Sequence, residues 1–164
     1  MRIPFALLLG FATAAMPIPT LAEVPDWMSG NWRTNARLTA PDGAQLRIRC
    51  TLTASAAVAA DNDDTADGDG DWAGTLGCAT VQGRFEGTWD IAITGESAAG
   101  DIIFSGTETA ELSVSGTASE THMDLESPDG QGVAFTPGPD GALVVEMNAL
   151  GPQRLTGALT FETR

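Results

Sequence analysis

From about residue 30 onward the chain alternates between apolar and polar positions. Gln45 to Thr53 does so without a fault. Leu46, Ile48, Cys50 and Leu52 fall on one face, and Gln45, Arg47, Arg49, Thr51 and Thr53 on the other. Period two marks a half-buried strand, because successive side chains leave a strand on opposite faces. Trp72 to Val81 supplies a second arm, with Trp72, Gly74, Leu76 and Cys78 on one face. Antiparallel pairing with Cys50 opposite Cys78 brings Leu52 opposite Leu76 and sets both cysteines on the apolar side. Arg84 to Thr94 alternates again, with Phe85, Gly87, Trp89, Ile91 and Ile93 on one face and Arg84, Glu86, Thr88, Asp90 and Thr94 on the other.

Shorter stretches follow at Asp101–Ser105, Leu112–Ser115, Thr121–Leu125, Gly132–Phe135, Ala142–Met147 and Arg154–Phe161. An earlier one runs from Gly30 to about Leu38. Turn clusters separate them: Ala40-Pro41-Asp42-Gly43, Gly95 to Gly100, Ser127-Pro128-Asp129-Gly130, Pro137 to Gly141, and Gly151-Pro152. In such clusters Pro presets φ and Gly accepts positive φ. No stretch after residue 22 sustains a 3.6 period. The expectation is an all-β domain, an antiparallel up-and-down meander forming a small barrel of eight to ten strands. Gly30-Asn31-Trp32 and Gly87-Thr88-Trp89 each open a similar hairpin, which either a duplication or shared strand composition explains.

Residues 1–22 read as a secretory signal. Arg2 precedes an apolar run, Phe5 to Met16, that is too short to span a bilayer, and Thr20-Leu21-Ala22 places small residues at a cleavage site. Residues 23–164 then form a single domain. In an exported chain, Cys50 and Cys78 are most simply one disulfide, and the location expected is periplasmic or secreted.

Ser55 to Asp71 is Ala-rich and then Asp-rich, and reads as a flexible, solvated loop. Calcium at Asp67, Asp69 and Asp71 is the alternative. The EF-hand loop, however, needs Gly and Glu where Trp72 and Cys78 stand. Without Arg2 the chain carries seven arginines, no lysine and 22 acidic residues. That balance repels nucleic acid and anionic lipid, so neither is expected as a partner.

Catalytic chemistry finds little support. His122 is the lone histidine, without a nucleophile in motif spacing. Zinc lacks ligands once the disulfide forms. Glu86 and Asp90 share a strand face with Arg84 and read as surface charges rather than a glycosidase pair. The expectation is a monomeric protein that is not an enzyme and needs no cofactor. Trp32, Trp72, Phe85, Trp89, Phe104 and Arg154 are the candidates to line a cavity, although core packing also accounts for the aromatics.

Gly30-x-Trp32 resembles the opening motif of lipocalins, eight-stranded barrels that bind small hydrophobic ligands. That resemblance implies that Arg154 packs over the tryptophan. Ser29-Gly30-Asn31-Trp32 followed by Cys50 and Cys78 resembles the periplasmic inhibitors of bacterial metalloproteases. It implies that Glu23 to Met28 enters a protease cleft. Gly-x-Trp, Arg47-Ile48-Arg49-Cys50 and Leu76 to Ala79 together resemble a group of exported alphaproteobacterial β-meander proteins of uncharacterised activity. The function expected is binding of a small apolar ligand in a lipocalin-like barrel. The alternatives are a protease inhibitor acting through its N-terminus and a structural, envelope-associated domain. A transmembrane barrel fits poorly, because its aromatic girdles need more Tyr and Trp.

Overall fold

A computed structural model describes residues 24–39, 42–58, 70–81 and 83–164. Residues 1–22, read as a signal, lie outside the described residues, as do Glu23 and residues 59–69 of the Ala/Asp-rich stretch. The strands are β1 (Gly30–Thr39), β2 (Gln45–Val58), β3 (Gly70–Thr80), β4 (Gly83–Thr94) and β5 (Ser97–Ser105). They continue with β6 (Ala110–Ser119), β7 (His122–Glu126), β8 (Gly132–Pro137), β9 (Leu143–Leu150) and β10 (Leu155–Thr163). Each pairs antiparallel with the next, and β10 closes on β1, so the fold is a ten-stranded up-and-down barrel.

Alternation decides inside and outside. Leu46, Ile48, Cys50 and Leu52 of β2 are buried, while Gln45, Arg47, Arg49, Thr51 and Thr53 are exposed. Among the described residues only Val81 and Ile103 are large hydrophobics left exposed. An apolar lumen within a polar wall is the reverse of a membrane barrel, which turns its apolar band to lipid. Cys50 lies opposite Cys78 and Leu52 opposite Leu76, the register expected from the pattern. The cysteines form one disulfide on the inward face.

Two sequence expectations need correction. Ser55 to Asp71 is not all loop: β2 runs on to Val58 and β3 starts at Gly70, with Ala56 opposite Trp72 and Ala57 opposite Asp71. Pairing with a fixed neighbour overrides the weak strand propensity of alanine. Gly95 to Gly100 is not all turn either. The turn is Gly95–Glu96, and Ser97 already pairs with Thr94. Ala98 is buried in phase with Ile102 and Phe104, so the alternation of β5 starts earlier than its apolar run.

The two Gly-x-Trp sequences do different work. A Cβ on Gly30 would lie 2.6 Å from the Trp32 indole, which folds back over it. Gly87 instead faces Phe104, and Trp89 lies over Gly74 of the neighbouring strand. The likeness is one of strand composition rather than of packing.

The disulfide ties two adjacent strands across a sequence separation of 28 residues. Loop-closure entropy makes such a link worth about 3–4 kcal/mol. Cys50→Ser is therefore expected to lower unfolding free energy by about that amount in urea titration. Equal stability of wild type and variant, both oxidised, would contradict it.

Candidate functional site

The barrel has two unlike ends, and tryptophan side chains make the difference. At the end where β1 starts, the segment Val24 to Met28 folds back as a single 3-10 turn, Asp26–Met28. Met28 is buried, and its carbonyl accepts the Trp72 indole N–H at 2.7 Å. The Trp27 indole donates to the Glu120 carbonyl in the β6–β7 turn at 2.7 Å. The Trp32 indole donates to the Gly141 carbonyl in the β8–β9 connection at 2.9 Å. Ser29 Oγ accepts the Ala56 backbone N–H, which fixes the segment to β2. Three indole donors thus clamp the N-terminal segment and two connections over one end.

Beneath this seal lies an aromatic cluster. Trp72 meets Phe135 edge-on with centroids 4.8 Å apart, and Trp89 at a tilt with centroids 5.0 Å apart. Edge-to-face contacts suit the ring quadrupoles. Ten strands enclose a wider lumen than eight, and large rings fill this half of it.

The other half is less filled. An apolar cavity of about 60 Å³ opens between the β5–β6 and β9–β10 connections. Leu38, Leu76, Phe85, Phe104 and Leu155 line its walls, and Thr107, Glu108 and Gln153 its mouth. A second cavity of about 40 Å³ lies deeper, against Trp72, Trp89 and Phe135. The two share Leu76, Phe104, Met147, Leu150 and Leu159. Typical ligand pockets measure about 300–1,000 Å³, so the hollow suits one small apolar group rather than a lipocalin-sized ligand. The Trp89 indole N–H is buried on the deeper cavity and meets no acceptor among the described residues. Leaving such a donor unpaired costs about 1–3 kcal/mol.

The rim of the open end is held by a short network. Ser127 Oγ donates to Asp129 Oδ1, and Gln131 Nε2 donates to Asp129 Oδ2. Arg154 ties the β9–β10 turn to the same carboxylate, at 3.5 Å. These hydrogen bonds, Ser127's first, then Gln131's, hold the Asp129 carboxyl below its ordinary value, with a smaller charge contribution from Arg154. The β9–β10 connection is strained: Ala149 and Arg154 adopt φ of 49° and 50°, where residues with a Cβ are rare. A register shift between Leu155 and Gly157 bulges the same hairpin.

Of the six candidate lining residues, Phe85 and Phe104 line the open cavity, and Trp72, Trp89 and Phe104 the deeper one. Trp32 does not line either, because its indole is spent at the sealed end. Arg154 does not pack over Trp32. It stands just before β10, whereas Trp32 pairs with Thr163 at the strand's far end, and its guanidinium reaches outward to Asp129. Asp71 is exposed on β3, while Asp67 and Asp69 lie outside the described residues. His122 sits on the outer face, with Nδ1 3.1 Å from the Thr136 hydroxyl. Leu38, Met147, Leu150 and Leu155 were missed. Their signal was only a shared inward phase near strand ends on one side of the barrel.

No known family model matches the chain, and no curated protein shows significant similarity to it. Among the described residues no helix is long and apolar enough to cross a membrane.

Trp72→Phe keeps a ring but leaves the Met28 carbonyl unpaired, which is expected to cost about 1–3 kcal/mol and to expose Val24–Met28 to proteolysis. Unchanged stability and unchanged cleavage would contradict the seal. A second expectation concerns the rim. The fold depresses the Asp129 pKa, so its contribution is complete above the unfolded carboxylate range and is lost as pH falls through the folded value. In carbon-detected NMR titration Ser127→Ala should raise that pKa towards its ordinary value, and no movement would contradict the assigned cause.

Proposed function

We propose that this chain is an exported, non-catalytic binding protein whose barrel takes one small apolar group bearing a hydrogen-bond acceptor. The observation that carries this reading is Trp89. Its indole N–H is a buried donor without an acceptor among the described residues, and its ring lines the deeper of two adjoining apolar cavities, the other of which opens between the β5–β6 and β9–β10 connections. A carbonyl or hydroxyl oxygen on the incoming group would satisfy the donor, and the alkyl remainder would replace water along Leu76, Phe104 and Leu155. The strained β9–β10 hairpin supports the same reading, because strain tends to be kept at rims that recognise something. The cavity size limits the group to a short alkyl or similar chain end, either free or as the tip of a larger molecule. Export to a periplasmic or extracellular space rests on the pattern of residues 1–22, and the disulfide fits such an oxidising space. The seating of Val24–Met28 against Trp72 and Glu120 makes this reading preferable to insertion of the N-terminus into a protease cleft.

Indole N–H resonances provide the test, since only Trp27, Trp32, Trp72 and Trp89 contribute. Addition of 2-hexanone is expected to shift the Trp89 signal downfield while the other three stay within their ordinary scatter. Hexane, which lacks an acceptor, should enter without that shift, and Leu76→Phe should weaken the ketone response. Indifference of all four signals up to the solubility limit of the ketone would overturn the reading.

A further inference from the structure

Outside the barrel, the charges are not evenly spread. Of the seven arginines among the described residues, Arg33, Arg37, Arg47, Arg49 and Arg164 all project from the outer face of β1, β2 and the end of β10. Arg37 pairs directly with Arg47 across the β1–β2 ladder, and Arg33 and Arg49 stand opposite Thr51 and Asn35. Like charges placed directly opposite each other destabilise a sheet. Among the described residues no acidic side chain lies within ion-pair distance of any of the five, and the single ion pair is Arg154–Asp129. Among the described residues only Glu162, opposite Arg33 on β10, brings a carboxylate onto this wall. The outer faces of β4 to β9 carry the opposite sign, through Glu86, Asp90, Asp101, Glu111, Asp124 and Glu146. A chain of net charge −14 therefore gathers most of its cations on one wall.

That wall is concave. A depression of about 510 Å³ lies over β10, β1 and β2, lined by Arg33, Arg49, Arg164 and Glu162. A second, of about 230 Å³, continues over β2 and β3 past Arg47 to Val81. The two share Asn35 and Arg49 and so form one groove across the strands. Where the groove begins, β1 and β10 bridge through Trp32 and Arg33 with Thr163 and Glu162. The next bridge is at Thr39 with Thr156. Val81, the most exposed large hydrophobic described, closes the other end at 90% exposure.

We propose that this groove is a docking site for a short acidic segment of a partner protein, with an apolar residue at the Val81 end. Guanidinium forks match carboxylates two bonds at a time, which an ammonium does not, and every cation here is arginine. Three interstrand gaps of about 4.8 Å give the groove a run of about 14 Å, the reach of four or five extended residues. At physiological ionic strength charges are screened beyond about 8 Å. A short segment therefore senses the arginines, whereas an extended polyanion also meets the acidic remainder of the surface. The groove lies on the outer wall and the cavity in the lumen, so either can fail without the other although both reach the open end.

Fluorescence polarisation of a labelled pentapeptide, four Asp or Glu residues followed by Leu, tests this. Saturable binding that weakens with salt is expected. The pair Arg33→Ala and Arg49→Ala should weaken it by about tenfold or more, and Arg84→Ala, on the acidic side, should leave it unchanged. All three positions are exposed, and thermal melts check that the variants stay folded. Lysine at both positions should restore only part of the affinity. Equal binding of the Asn/Gln counterpart peptide, or binding indifferent to the arginine pair, would overturn the proposal. So would tighter Arg33- and Arg49-dependent binding to a DNA oligomer or to phosphatidylglycerol vesicles. Arginine-dependent self-association in sedimentation, without peptide binding, would overturn it in favour of a second copy of the chain.

Discussion

The hydrogen bond from the Trp72 indole to the Met28 carbonyl sets the polarity of this barrel. A closed sheet has no edge and no intrinsic top. What distinguishes its ends is what covers them. Trp72 is almost wholly buried at the centre of the aromatic cluster, so its N–H must find a partner or pay desolvation without return. It finds one in a segment from outside the sheet. That bond, with those of Trp27 and Trp32, converts a symmetric tube into a vessel sealed at one end. The fourth tryptophan, Trp89, packs against Trp72 and has no such partner among the described residues. The functional reading grows from this contrast between three satisfied indoles and one unsatisfied indole.

The disulfide acts on the other half. Cys50 and Cys78 lie opposite one another on β2 and β3, and Cys78 forms part of the open cavity's wall beside Phe85. It ties neighbouring strands near the end that lacks an indole seal. The Ser127–Asp129–Gln131 network and the Arg154 contact perform a similar service for the rim. For the binding proposed above, these ties would keep the cost of ordering the open end low.

Much of the fold was legible in the sequence because one rule, period two, governs nearly every residue after the N-terminal lead. The pairing of Leu52 with Leu76 followed from that rule once Cys50 was set opposite Cys78, as two cysteines in an exported chain suggest. Alternation tells inside from outside, but it does not tell which end of a lumen is open. Trp32 was expected near a ligand for that reason, and Arg154 because the lipocalin likeness implied that it packs over Trp32. Trp32 is inward, as expected, yet it sits at the sealed end, and Arg154 is turned outward by its left-handed backbone. Leu38 and Leu155 were overlooked because an apolar residue near a strand end looks the same at either rim. The arginine wall was half legible. Arg47 and Arg49 share the outer phase of one strand, but Arg33, Arg37 and Arg164 join them only once β1 pairs with both β2 and β10. That closure depends on contacts between the two ends of the sheet, which no local pattern encodes.

The two surfaces of the molecule follow from one division of labour. Inward positions carry the aromatics and aliphatics, so the interior is apolar apart from a few polar groups such as the Trp89 N–H. Among the described residues every charge stands at an outward or loop position, so an ionic partner would be met on the outside. The central claim, that the hollow lies at one end only, is tested most directly by NMR under xenon pressure. Xenon enters dry apolar cavities irrespective of hydrogen bonding. The expected result is a set of methyl shifts at Leu38, Leu76, Leu150, Leu155 and Met147, reaching Leu125, Val133 and Val145 of the deeper cavity, with Met28 unmoved. Shifts at Met28 equal to those at Leu155, or no shifts at all, would contradict a barrel sealed at one end and hollow at the other.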